Sequence, residues 1–169
     1  MDDDGAGTVV VGVDGSPGSR AALEHALQDA ARRGGRLRVV AAARLPEYWA
    51  MAYGMVAPLP MSEAVEQVRA AAQEMTDDVI AAHPDLAARV PITVEARAGN
   101  TAEVLIDASE GADLLVLGHR GHGALSSAML GSVGLQCVLH STCAVTVLRP
   151  APVAQAVEAM TSGTRPAPA

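Results

Sequence analysis

Apolar and polar residues fall in blocks along the chain, and the period changes from block to block. Thr8 to Val13 (TVVVGV) is a short β-branched run, the pattern of a strand buried on both faces. Asp14-Gly15-Ser16-Pro17 interrupts it. Ser16 suits an N-cap, and Pro17 suits the first helical position, where its missing N–H costs nothing. Leu23, Ala26, Leu27, Ala30 and Ala31 then mark one face of a helix that Gly34-Gly35 ends. Leu37 to Ala43 reads as a second strand. Arg44 to Met61, rich in Pro and Met, is long for a connection inside a compact domain and reads as a functional or mobile flap. Ser62 opens a helix with Val65, Val68, Ala72, Met75, Val79 and Ala82 at spacings of three and four, and Pro84 lies just past its end. Val90, Ile92, Val94 and Ala96 alternate as a third strand, in which Pro91 points to a sheet edge. Asn100-x-x-Glu103 has the form of a capping box opening a helix that ends near Gly111. Leu114 to Leu117, Ser132 to His140 and Ala144 to Leu148 read as strand, helix and strand.

Strict alternation of strand and helix predicts one doubly wound α/β domain, a parallel sheet covered on both faces by right-handed crossovers. Its expected extent is residues 8–149. An acidic stretch (1–7, containing Asp2-Asp3-Asp4) precedes it, and an Ala- and Pro-rich tail (150–169) follows; both read as disordered.

Composition narrows the chemistry. The aromatic residues are Tyr48, Trp49 and Tyr53, with no Phe, which argues against an RNA binder that stacks bases on a sheet. All 12 basic residues are Arg, so no P-loop, kinase or Schiff-base lysine exists. A net charge of −7 disfavours nucleic acid and anionic lipid. Gly121 to Leu148 carries no charged residue, but its Gly, Ser, Thr, Gln and His suit a buried loop, helix and strand better than a membrane span. No secretory signal is visible, Cys137 and Cys143 read as reduced packing thiols, and a cytoplasmic location is expected.

In an open parallel sheet, ligands bind beyond the carboxyl ends of the strands, where the strand order switches. Two strand ends carry unusual residues: Gly12-Val13-Asp14-Gly15-Ser16, and Gly118-His119-Arg120-Gly121-His122-Gly123 with Gly131-Ser132 at a following helix start. Glycines let backbone N–H groups approach a ligand, and a helix N-terminus adds donors and partial positive charge. Together these describe a cradle for phosphate oxygens, with Arg120 as the only permanent cation near it.

Gly118-x2-Gly121-x9-Gly131-Ser132 after the fourth strand resembles the nucleotide signature of the universal stress protein family, ATP-binding type. VGVDGSPGS at the first strand end and LGSVGLQCVLHSTCAVTVLRP also look like that family. The resemblance implies a five-stranded sheet of order 3-2-1-4-5 and binding of ATP, or of ADP, AMP or cyclic AMP, with a role as a stress-response sensor or regulator. It implies that Asp14 faces the ribose–adenine side with the Gly12 and Val13 backbone, and that Ala42 acts at the adenine edge. Gly118, Gly121, Gly131, Ser132 and Val133 would hold phosphates, with Arg120 and His122 in the intervening loop. It also implies a homodimer through the last strand, 144–148. His119 stands where the family usually has Ser, and Ala144 where it often has Pro.

Single residues leave alternatives open. Asp14 is either an Asx-turn residue or a ligand of ribose or of Mg²⁺ arriving with phosphates. His119-x2-His122 is a thin metal signal beside the ordinary reading as loop histidines. A slow ATP hydrolase or a nucleotidyl or phosphoryl transferase on the same scaffold is the alternative function, although no catalytic constellation stands out.

Overall fold

The computed structural model describes residues 7–44, 60–119 and 130–149. The acidic N-terminal run, the three aromatic residues, the loop residues Arg120, Gly121 and His122, and the tail from Pro150 lie outside these. Five strands, β1 (Thr8–Gly12), β2 (Arg36–Ala43), β3 (Ile92–Ala98), β4 (Leu114–Gly118) and β5 (Ala144–Leu148), form one sheet. Its order is β3-β2-β1-β4-β5, and every pairing is parallel. Helices α1 (Pro17–Arg33), α2 (Met61–Ala82), α3 (Pro84–Ala87), α4 (Thr101–Ala108) and α5 (Ser132–His140) connect the strands.

The apolar runs explain why the sheet is covered on both faces. Alternate residues of a strand point to opposite faces, so an uninterrupted run such as Val9-Val10-Val11 needs cover on each. Val9, Val11, Val39 and Val116 pack with Leu23 and Leu27 of α1 and Ala72 and Val79 of α2. Val10, Val40 and Leu115 face the other way, into a cluster with Ala102 and Leu105 of α4 and Cys137 of α5. All three residues of the Val9–Val11 run are fully buried.

Local signals set the helix ends. The Ser16 hydroxyl accepts from Ser19 N at 3.2 Å, and Pro17 follows at the first helical position. At the other end Gly34 sits at φ 62°, with Gly34 N donating to Ala31 O and Gly35 N to Ala30 O. That is a Schellman closure, and its left-handed residue favours glycine. Asn100 Oδ1 accepts from Ala102 N and Glu103 N, which starts α4.

The structure moves several expected boundaries. β1 ends at Gly12, one residue early, although Val13 N still donates to Val40 O. β3 begins at Ile92, so Pro91 lies outside the strand and only its carbonyl joins the ladder, accepting from Leu37 N. The edge position inferred from that proline is nonetheless where β3 lies. Met61, not Ser62, opens α2, and α3 is a four-residue turn of helix that no periodicity announces. At the opposite edge, β5 has no outer strand among the described residues. Leu135, Val138 and Leu139 of the neighbouring α5 are the exposed large hydrophobics among the described residues.

Candidate nucleotide site

Strand register opens a cleft at the switch in strand order. β1 pairs with β4 only through Val11 and Val116, so the two strands separate past that point. β2 does not stop with β1. Gly12 lies level with Val40, whereas β2 continues beside β3 until Ala43 meets Ala98. The last three residues of β2 therefore rise about 10 Å above the end of β1 and form one wall. The end of β4 and the start of α5 form the other, about 10 Å away across two strand spacings.

A cavity of about 640 Å³ occupies this space. Gly12, Val13, Asp14, Ala42, Gly118, Gly131, Ser132 and Val133 all line it. Of the residues expected to hold the ligand, Arg120, Gly121 and His122 lie outside the described residues, and Gly15 and Ser16 of the first strand end do not line the cleft. Ser19, Val40, Arg44, Thr101, Leu105, Leu117 and Gly134 also line it, as does His119. Arg44 corrects the expectation that Arg120 is the only permanent cation near the site.

The polar groups of the two walls differ in how they are satisfied. Asp14 Oδ1 accepts from Ser16 N at 3.0 Å, so the Asx turn is formed and holds an exposed carboxylate at the cleft. Asp14 N in turn donates to the buried Ser19 hydroxyl at 3.3 Å. Helices α1 and α4 are capped by their own Ser16 and Asn100 side chains. At α5 the cap residue is Gly131, and among the described residues no side chain caps the helix. The first-turn N–H groups of a helix have no partner within it, so here they meet the cleft with the positive end of the dipole.

The glycines serve different ends. A Cβ at Gly118 would lie 2.7 Å from the carbonyl carbon of Gly18, so this glycine lets β4 pass close beneath the first turn of α1. A Cβ at Gly12 would lie 2.9 Å from methyl carbons of Leu105 and Leu117. Gly131 is different. It has φ −61° and ψ 155°, open to any residue, and among the described residues a Cβ there would meet only His119 O, at an ordinary 3.6 Å. Neither backbone conformation nor packing within the described residues requires glycine at 131.

Chemically the cleft joins an aliphatic slot, from Val13, Val40, Ala42 and Leu105, to a rim of backbone donors at α5. A ligand with a flat apolar part and an anionic part fits both. Among the described residues no group of three or more His, Cys, Asp or Glu is placed to hold a metal ion. No described helix is long and apolar enough to cross a membrane.

Known proteins place this architecture. A universal stress protein of Mycobacterium tuberculosis is 36% identical over 149 residues, 83% of this chain. The chain spans 47% of that relative's length. Among solved structures, a universal stress protein in complex with cAMP superposes with a TM-score of 0.56 at 21% identity, over 87% of this chain and 99% of that one. An Arabidopsis thaliana universal stress protein family protein with AMP bound gives 0.57 at 15% identity, over 88% and 94%. These two likenesses establish the shared fold. The model of the universal stress protein family matches residues 6–149, nearly the whole described region and the cleft with it, and the chain belongs to that family.

Proposed function

We propose that this chain binds an adenine nucleotide, ATP included, in the cleft between β1 and β4 and acts as a stress-response sensor or regulator. The observation that carries the proposal is the N-terminus of α5 at Gly131, which no side chain caps among the described residues and where none of them requires glycine. The first-turn N–H groups of Ser132 and Val133 take the phosphates, with Gly118 on the same wall and Gly131, whose own N–H donates to His119 O at 3.4 Å, leaving room for their approach. Arg120, Gly121 and His122 belong to the same proposal as the loop between them. Gly12, Val13, Asp14 and Ala42 take the nucleoside, with the carboxylate accepting from ribose hydroxyls. The AMP and cAMP in related structures support an adenine ligand.

Mg²⁺, when it accompanies ATP, is held chiefly by phosphate and water oxygens, with Asp14 as the protein carboxylate at hand. The same reading makes the chain a cytoplasmic homodimer through the edge strand β5. The exposed apolar residues of α5 support the dimer, since an uncovered strand edge invites a partner.

Mass spectrometry of small molecules released on denaturing the purified protein tests the proposal most directly, followed by calorimetric titration. An adenine nucleotide recovered, or heat of binding with micromolar affinity, is the expected result. No heat with ATP, ADP, AMP or cyclic AMP would overturn it.

A further inference from the structure

We propose that Arg44 is the base-recognition residue of the cleft, its guanidinium lying flat against the purine in place of the aromatic ring that the described walls lack. The inference rests on the nucleotide reading above and adds to it a specificity-determining side chain.

Three observations lead to it. First, Arg44 is exposed, lines the cleft and makes no ion pair with a described residue. The arginines at 20, 32, 33, 38, 69 and 97 each hold a carboxylate, and Arg36, Arg89 and Arg149 do not line the cleft. Second, Arg44 stands on the wall made by β2, two strand spacings from the α5 donors, or about 10 Å. Two residues beyond Ala42, Arg44 stands at the nucleoside end of the cleft, and only a fully extended side chain would touch a phosphate held at α5. Third, the described slot is aliphatic. Val40, Ala42 and Leu105 offer dispersion contact but no π face. A guanidinium is planar, weakly hydrated and stacks on aromatic rings, and its N–H groups also match the acceptor nitrogens on a purine edge. An ammonium has no plane, so lysine is a poor substitute.

The test compares wild type with Arg44→Ala and Arg44→Lys by calorimetry against AMP, ATP and ribose 5-phosphate, with thermal melts as control. Both variants should melt with wild type, because the side chain is exposed and makes no ion pair with a described residue. Both should lose about 10-fold in affinity for AMP, the same factor for ATP, and keep their affinity for ribose 5-phosphate. A lysine variant binding AMP like wild type overturns the proposal. So does a parallel loss for ribose 5-phosphate, or a larger loss for ATP than for AMP, since either means a phosphate contact. Wild type that takes up neither nucleotide removes the nucleotide reading and this inference with it. Wild type that binds while both variants match it removes only the role of Arg44.

Discussion

Gly118 and Gly131 both belong to the glycine signature, yet alanine at the two positions should have opposite consequences. At Gly118 the added methyl would sit 2.7 Å from Gly18 C, 2.8 Å from Gly18 O and 3.0 Å from Ser19 N. These are backbone atoms of a tied turn: Ser19 N donates to the Ser16 hydroxyl, and the Ser19 hydroxyl donates to Ser16 O at 2.9 Å. The turn cannot give by a side-chain rotation, so β4 or α1 must shift. Overpacking of this kind costs about 1–3 kcal/mol, which in a domain of this size lowers Tm by about 2–10 °C. The same shift moves Asp14, so nucleotide binding weakens as well. At Gly131 the methyl meets, among the described residues, only His119 O at 3.6 Å. Losing glycine at an N-cap costs about 0.5–1 kcal/mol, and the lower entropy of the unfolded chain returns about 0.4–1 kcal/mol. Stability should therefore stay within about 0.5 kcal/mol of wild type. Binding should not survive intact, because the methyl stands where phosphate must approach. One lost charge-assisted hydrogen bond corresponds to about 10- to 100-fold in affinity. Calorimetric unfolding and AMP titration of both variants check the pair. Gly118→Ala melting with wild type would refute the steric argument, and Gly131→Ala binding AMP like wild type would refute the cradle.

Two further outcomes follow from the titratable groups. Burial raises the pKa of Glu95, but hydrogen bonds from Arg38 at 2.7 Å and Arg97 at 3.1 Å outweigh it and hold the carboxyl below its ordinary 4.5. A depressed carboxylate stabilises the fold above its unfolded pKa and loses that contribution as pH falls through the folded value. Glu95→Gln should thus cost less than about 1 kcal/mol at neutral pH, since the pair is partly solvated. The gap from wild type should close in acid, and a gap that persists or widens there contradicts the assignment. Cys137 is fully buried, and burial, with Cys143 adding to it, pushes its thiol up to about 11. Iodoacetamide at pH 8 should label Cys143 in the native protein and reach Cys137 only on unfolding; equal labelling of the two in the native state is the contrary result.

The fold was largely legible because its signals are local. A β-branched run, Ser-Pro at a helix start, Gly-Gly at a helix end and Asn before α4 each act within a few residues of where they stand. Strict alternation then leaves few arrangements for a parallel sheet. What failed was also local. Pro84–Ala87 is too short to show a helical period, and Pro91 falls just outside the strand it seemed to interrupt.

The sequence by itself determined the elements, the covering of both sheet faces and the two strand ends where unusual residues gather. Seven of the residues chosen from those ends, with Ala42 of β2, line one cleft, because parallel strands bring their carboxyl ends to the same side. Only the tertiary structure decided what each residue meets there. Arg44 enters the cleft because β2 outruns β1, a consequence of register between strands that no single segment encodes. Thr101 and Leu105 enter it because α4 packs against β2, far from either motif in the chain. The glycines of one signature also separate only in space. Gly118 answers to the backbone of α1, a hundred residues earlier in the chain, whereas Gly131 lines the cleft and would make only an ordinary contact with His119 O among the described residues. Chain order specifies which groups are present; the contacts that divide packing from binding form only when distant segments meet.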